Sequence, residues 1–141
     1  MRFTLAAIQN FSVSKAHKTQ LRLSHTIITE VRPPKKIKSV AGVDVAYIDD
    51  LAIGAVAVLD YDSLELLEQQ TATCKVKLPY IPTLLSFREI PPAVACLKKL
   101  RQQIDVLLVD GQGSHTHMDA VSPAISGLSW KYPLLGWQKA D

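Results

Sequence analysis

The spacing of apolar residues divides the first half of the chain into one helix and three strands. Leu21, Ile28 and Val31 recur at helical spacing and predict a helix over residues 15–31, which ends before Pro33-Pro34. β-Branched and apolar runs separated by short Asp-containing turns predict an antiparallel meander. The middle run is nearly all apolar, so we expect it to be buried on both faces. The three predicted strands cover residues 39–48, 51–59 and 64–77.

The second half predicts a helix followed by a short buried strand. The helix begins near residue 87 or 88, runs to about 103, and tolerates Pro91 and Pro92 only in its first turn. Residues 106–109 are wholly apolar and form the strand. A strand, a helix and a second strand predict a parallel crossover, and the order βββ-α-β is typical of an α/β domain with a ribonuclease H-like mixed sheet. The apolar stripe of the helix is Ala93, Cys96, Leu97 and Leu100.

Composition restricts the class of protein. With 141 residues, 48% hydrophobic and 21% charged, the chain is expected to form a single globular domain over 1–141. It has no apolar run long enough to cross a membrane, and its first ten residues do not resemble a secretory signal. Cys74 and Cys96 are expected to be reduced core thiols. We therefore expect a cytoplasmic protein. A monomer is the expected oligomeric state, although composition does not reveal it.

Charge is distributed unevenly along the chain. Residues 1–40 contain eight Lys and Arg against Glu30 alone, whereas the whole chain carries a net charge of only +3. A basic segment beside an acidic body is typical of a protein that binds a polyanion and uses carboxylates for another purpose. A solvated helix face followed by a linker would explain the same charges.

Three carboxylates are candidates for a metal site. Asp44 lies within an apolar strand, where a charge is costly without a cation or donors, and Asp110 ends the strand 106–109. Glu89 lies at the start of the second helix. If the two aspartates are on adjacent strands, the three side chains can converge on Mg²⁺ or Mn²⁺, which promote phosphodiester cleavage. Each residue also has an ordinary structural explanation. An aspartate at the end of a strand often accepts hydrogen bonds in a turn, and a glutamate in the first turn of a helix often interacts favourably with the helix dipole. His115 and His117 are more typical of a polar loop than of a metal site.

Three motifs carry a resemblance to a known family. The motifs VAGVDVAY (40–47), PYIPTLLSFRE (79–89) and VDGQG (109–113) occur in the order found in the endonuclease V family. The resemblance covers residues 10–113. It implies a ribonuclease H-like fold and Mg²⁺-dependent cleavage, with Mn²⁺ as a substitute, of DNA at the second phosphodiester 3′ to deaminated adenine. Related members cut RNA that contains inosine.

The resemblance also implies roles for individual residues. Asp44, Glu89 and Asp110 would be the metal and catalytic carboxylates. Tyr80 would be a wedge that enters the helix where the lesion base turns out, since an aromatic ring can replace lost stacking. Packing on the core is the ordinary alternative for this tyrosine. The remaining lesion-binding residues implied are Pro79, Ile81, Pro82, Leu85, Gly111 and Gly113.

The sequence departs from the family pattern at residue 83 and again after residue 113. Thr83 stands where the family usually has glycine, and Thr116 takes the place of the family histidine. Residues 114–141 are therefore an atypical tail. We expect the domain to be incomplete at its C-terminus, poorly stable and weakly active or inactive. A nucleic-acid-binding remnant without catalysis is the alternative function.

The genetic code offers an explanation for this tail. A shifted reading frame can be tested by joining the third base of each codon to the first two bases of the next codon, starting at Ser114. The amino acids that this frame permits include a continuation like that of the family. Some positions are tightly constrained: Trp137-Gln138 must give alanine, and Gln138-Lys139 must give lysine or glutamate, where the family has alanine and lysine. We therefore predict that 114–141 is an out-of-frame tail, with a divergent short paralogue as the alternative.

Overall fold

The computed structural model describes residues 12–24, 36–76, 78–81, 84–110 and 134–137. Two helices and five strands lie in these ranges, and no helix among them is long and apolar enough to cross a membrane. The helices are α1 (Val13–Ser24) and α2 (Ser86–Leu97). The strands are β1 (Ser39–Ile48), β2 (Leu51–Asp60), β3 (Leu66–Lys75), β4 (Val106–Asp110) and β5 (Leu134–Trp137).

The strands form one mixed sheet in the order β3-β2-β1-β4-β5. β1 pairs antiparallel with β2, and β2 pairs antiparallel with β3, which confirms the predicted meander. β1 pairs parallel with β4, and β4 pairs parallel with β5. The mixed ribonuclease H-like sheet is therefore confirmed. The edge strand β5, which pairs with β4, was not predicted from the sequence.

One face of the sheet packs against α2. The core joins alternate residues of the strands to Ala93, Cys96 and Leu97 of the helix, with Leu100 packed against it. This confirms the predicted apolar stripe. The two cysteines are free, Cys96 in the core and Cys74 half-buried.

Four expectations about the elements are corrected. In β2, alternate residues are buried against α2, but the other face is half-buried or exposed at Ala55, so two-sided burial is wrong. In α1, the predicted apolar face with Leu21 is wrong, because Ala16 and Gln20 are buried whereas Leu21 is 48% exposed. Ile28 and Val31, predicted on the same face, lie outside the described residues. Pro91 and Pro92 lie beyond the first turn of α2, because the helix begins earlier than predicted, at Ser86.

The fourth correction is the end of α2, which stops at Leu97 rather than near residue 103. The carboxylate of Glu68, on β3, accepts hydrogen bonds from the backbone N–H groups of Arg101 and Gln102, at 3.0 and 2.8 Å for its Oε2 atom. These two N–H groups therefore donate to a side chain of β3 and not to carbonyl groups of a longer α2. Lys99 Nζ also donates to the Thr71 carbonyl at 2.7 Å, so the connection is fastened along the β3 edge.

A local hydrogen-bond cluster joins the starts of β1 and β4. Asp105 Oδ2 accepts from the backbone N–H of Lys38 at 2.8 Å and of Ser39 at 3.1 Å. In return, the Asp105 N–H donates to Ser39 Oγ at 3.1 Å. This exchange holds the two strands in the parallel register that pairs Val43 with Val109.

Candidate metal and nucleic-acid site

Asp44 and Asp110 occupy neighbouring positions on two parallel strands. Since Val43 pairs with Val109, the next residues along β1 and β4 are Asp44 and Asp110. The condition for a shared carboxylate site, that the two aspartates come from adjacent strands, is met in the backbone. The hydrogen bonds between Ser39 and Asp105 join the starts of the same two strands.

Asp44 is exposed, contrary to the expectation of a buried charge. Successive residues of a strand point to opposite faces, so Asp44 lies on the face away from the α2 core that Val43 joins. Its Oδ1 atom accepts a hydrogen bond from the backbone N–H of Val45 at 2.8 Å. The carboxylate is therefore in contact with solvent and accessible to a cation.

An open groove of about 980 Å³ includes Asp44 in its lining. Small or polar side chains of the three meander strands form much of its floor, and Leu108 of β4 and Lys99 also border it. Groove residues that share the floor with Asp44 are Gly42, Ala55, Ala57, Gln69 and Thr71. A surface of small residues beside a carboxylate leaves room for a large ligand.

Glu89 lies in the first turn of α2, the helix that covers the opposite face from Asp44. Within the described ranges, no group of three or more His, Cys, Asp or Glu side chains is placed to hold a metal ion. The joint three-carboxylate site therefore stays a prediction.

Tyr47, Arg88 and Tyr80 form an aromatic–cation cluster beside Glu89. The Arg88 Cζ atom lies 4.6 Å from the centre of the Tyr47 ring and 6.0 Å from the centre of the Tyr80 ring. Burial raises the pKa of the Tyr47 hydroxyl above its ordinary value; the negative charge of Glu89 raises it further, and Arg88 opposes the shift. The three side chains come from β1, from α2 and from the segment before α2.

The PYIP segment presents its aromatic residue to solvent. Tyr80 is 62% exposed, whereas Pro79 and Ile81 on either side are half-buried. The Ile81 carbonyl accepts a hydrogen bond from the N–H of Leu84 at 3.0 Å, and Leu84 is buried. Leu85 is half-buried at the start of α2. Predicted site residues that lie outside the described ranges are Pro82, Gly111 and Gly113, together with the candidates His115 and His117.

Exposed basic side chains support the electrostatic part of the prediction. Of the eight basic residues within 1–40, five lie in the described ranges, and all five are exposed: Lys15, Lys18, Arg22, Lys36 and Lys38. An exposed basic surface attracts polyanions.

Sequence reasoning missed Tyr47 and Arg88 as site residues. Tyr47 closes the motif VAGVDVAY, and strand alternation places it on the opposite face from Asp44, which was a usable signal. Arg88 directly precedes Glu89. Its contact with Tyr47 could not be seen from spacing, because that ring lies 41 positions earlier in the chain, on another element.

The sheet order and the adjacent aspartates define an α/β protein with a ribonuclease H-like sheet. The family profile described as Endonuclease V matches residues 21–138. Endonuclease V of Thermofilum pendens is 41% identical over 105 residues, which are 74% of this chain and 45% of that protein. The chain belongs to the endonuclease V family. It spans about half the length of curated relatives such as the Thermofilum pendens protein.

Solved structures agree with this assignment. The crystal structure of endonuclease V from Streptomyces avermitilis has a TM-score of 0.78 at 34% identity, covering 89% of this chain and 56% of that one. Endonuclease V from Ciona intestinalis, crystallised with a 24mer DNA containing an inosine followed by a ribo-adenosine, has a TM-score of 0.73 at 27% identity. In that case the match covers 88% of this chain and 56% of that one.

Proposed function

We propose that the protein is a Mg²⁺-dependent repair endonuclease that recognises hypoxanthine in DNA and cuts the second phosphodiester bond 3′ to it. Family membership supports the class of reaction, and the inosine-containing DNA bound by the Ciona relative supports the substrate. The observation that carries the proposal is the placement of Asp44 and Asp110 at neighbouring positions of parallel strands, with Asp44 exposed in an open groove.

Asp44 supplies the kind of donor that suits a hard divalent cation. Asp44 offers a solvent-accessible carboxylate whose Oδ1 is engaged by a local backbone N–H, and carboxylate oxygens are the ligands that Mg²⁺ prefers. Asp44 and Asp110 would hold the cation, and Glu89 would assist. When bound, the metal would activate water and neutralise charge on the phosphodiester.

The protein's own side chains would perform recognition. Tyr80 would fill the stack where the lesion base turns out, because it is aromatic, largely exposed and flanked by partly buried residues. Leu85 would line the base pocket with the glycines at 111 and 113. Exposed lysines and Arg22 would bind backbone phosphates without reading sequence.

A nicking assay tests the metal assignment. A duplex with a single deoxyinosine is incubated in Mg²⁺ and in Mn²⁺ with the 141-residue chain, with a version continued in the alternative reading frame, and with Asp44→Asn of each. We expect nicking by the frame-continued protein to fall by at least about 100-fold in Asp44→Asn, since the metal supplies several kcal/mol of charge stabilisation. Asp62→Asn, on an exposed turn, is the control. Nicking that persists in Asp44→Asn would refute the assignment.

Nucleic-acid binding without cleavage is the second candidate function of this chain. It is favoured by the five exposed basic side chains in the described part of the chain. Affinity for inosine DNA that falls steeply with salt, together with no nicking in Mn²⁺, would support this function. Replacing the duplex with inosine-containing RNA in the same assay tests the RNA alternative.

A further inference from the structure

We propose that Arg88 is a positioning residue that holds the ring of Tyr80 by lying over Tyr80 and Tyr47 together. The inference rests on the proposed role of Tyr80 at the lesion and deepens it. The Arg88–tyrosine stack, meaning Tyr47, Arg88 and Tyr80, would fix the direction in which the exposed ring is presented to nucleic acid.

Geometry supports the stack. The guanidinium carbon of Arg88 is 4.6 Å from one ring centre and 6.0 Å from the other, within the range of about 6 Å over which a cation is attracted to an aromatic face. Arginine is suited to this contact because its guanidinium is planar and weakly hydrated. A lysine would provide the charge without the flat surface.

The hydrogen-bond pattern agrees with an arginine held mainly by rings. Arg88 Nε is buried and has no hydrogen-bond partner among the described residues, and the same is true of the Tyr47 hydroxyl oxygen. For these two atoms the described residues offer no conventional hydrogen bond, whereas the guanidinium of Arg88 contacts the faces of both rings.

The stack connects a loop residue to two rigid elements. Tyr47 belongs to β1 and Arg88 to the first turn of α2, whereas Tyr80 lies in the segment between β3 and α2. Tyr80 remains 62% exposed while in contact with Arg88, so its ring is both held and available. Fixing the ring before binding reduces the conformational entropy lost when it enters a duplex.

The first experiment tests the stack in the free 141-residue chain. Fluorotyrosine is placed at position 80, and its ¹⁹F resonance is compared among Arg88→Met, Arg88→Lys, Tyr47→Leu and Tyr47→Phe. We expect Arg88→Met and Tyr47→Leu to shift and narrow the resonance, Arg88→Lys to shift it less, and Tyr47→Phe, which keeps the ring, to leave it nearly unchanged. Arg101→Met removes the same charge from an exposed position and should have no effect. A resonance unchanged in both Arg88→Met and Tyr47→Leu would overturn the stack.

The second experiment tests whether the stack acts through Tyr80. Affinity for an inosine duplex is measured by fluorescence anisotropy for the wild type, Arg88→Met, Tyr80→Ala and the double variant. We expect Arg88→Met to bind the duplex about two- to five-fold more weakly than the wild type. In the Tyr80→Ala background, adding Arg88→Met should cause no further loss of affinity. Compared with Arg88→Met, Arg88→Lys should lose less affinity, because it keeps the charge but not the flat guanidinium.

The outcomes separate the positioning role from the proposed function. An equal loss from Arg88→Met in both backgrounds would overturn positioning, because Arg88 would then contact nucleic acid itself. The lesion role of Tyr80, and with it the positioning role, would be overturned if Tyr80→Ala kept full affinity for the duplex while the ¹⁹F resonance shifted in the Arg88 and Tyr47 variants as expected. The metal assignment of Asp44 is tested separately by the nicking assay.

Discussion

Gly54 of β2 lies directly beneath the backbone carbonyl of Pro92 in α2, so closely that a Cβ atom at position 54 would overlap that carbonyl. The glycine therefore sets how near the helix can approach the sheet. Gly42 of β1 presents the opposite case, because a Cβ built there meets no atom within 4 Å. The first turn of α2 carries Arg88 and Glu89, so the approach at Gly54 also sets their distance from the sheet.

Gly54→Ala should destabilise the protein. A methyl group at this position must displace backbone rather than a flexible side chain, and overpacking of this kind costs about 1–3 kcal/mol or more. Urea unfolding followed by circular dichroism measures the change. Gly42→Ala is the matched control and should be neutral or slightly stabilising, since glycine weakens a strand interior. Equal effects from the two substitutions would show that the helix is not held at Gly54.

Asp105→Ala should loosen the pairing of β1 with β4. The Asp105 carboxylate accepts backbone N–H groups of Lys38 and Ser39, and hydrogen bonds to a charged acceptor contribute about 1.5–3 kcal/mol. We expect a lower free energy of unfolding and faster amide exchange along β1 and β4. Asp50→Ala, in the exposed β1–β2 turn, removes the same charge and serves as the control. Unchanged exchange would mean that the register is held elsewhere.

Glu68 should make stability depend on pH in the acid range. A hydrogen bond from Gln70 and backbone N–H groups of Gln102 and Arg101 hold the pKa of the Glu68 carboxyl below its ordinary value. Because the folded pKa is lowered, the stabilisation is present above the unfolded pKa and is lost as pH falls through the folded value. We expect Glu68→Gln to lower the melting temperature at neutral pH and to converge with the wild type in acid.

The control for this pH dependence is Glu65→Gln. Glu65 is exposed on the same hairpin, and its substitution removes an equal charge. It should leave the difference between neutral and acid melting temperatures nearly as in the wild type. A parallel decline in Glu68→Gln and the wild type throughout the titration would contradict the assignment.

Asp44→Asn should remove divalent cation binding. Titration calorimetry with Mn²⁺ measures this directly and does not depend on nicking. We expect the heat of binding to be lost in Asp44→Asn because a neutral amide is a weak ligand for a hard cation. Asp62→Asn should retain it. Undiminished Mn²⁺ binding by Asp44→Asn would place the cation elsewhere.

The gene should contain the family continuation in another frame. Translation from the third base of codon 113 or its close neighbours should give a histidine–proline pair, and then alanine and lysine across residues 137–139. Nucleotide sequencing of this region decides the question. A shifted frame without that continuation would leave residues 114–141 as a divergent tail.

Local pattern predicted a large part of the fold. The bounds of β1 were predicted as observed, and β2 and β4 each extend one residue beyond their predicted ends. The buried positions of α2 at Ala93, Cys96 and Leu97 also follow from helical spacing. These features depend on interactions between near neighbours, which a sequence displays directly.

Expectations failed where a distant residue changes the local outcome. The sequence favours continuation of α2 to residue 103, but Glu68, about thirty residues earlier, takes the N–H groups of Arg101 and Gln102. The nearly apolar run of β2 suggested burial on both faces, yet α2 covers only one. The burial of Asp44 was wrong for the same reason.

By itself, the sequence determined the positions of β1, β2 and β4, the apolar stripe of α2, and the motifs that resemble endonuclease V, because each depends on residue types at fixed spacing. Only the tertiary structure decided that Asp44 is exposed beside the position of Asp110, and that Arg88 lies over both Tyr47 and Tyr80. Strand register brings together Asp44 and Asp110, which are 66 positions apart, and helix docking brings together Tyr47 and Arg88, which are 41 positions apart. The physical reason is that these contacts arise from packing between elements, and local preference does not encode which partner a surface will meet.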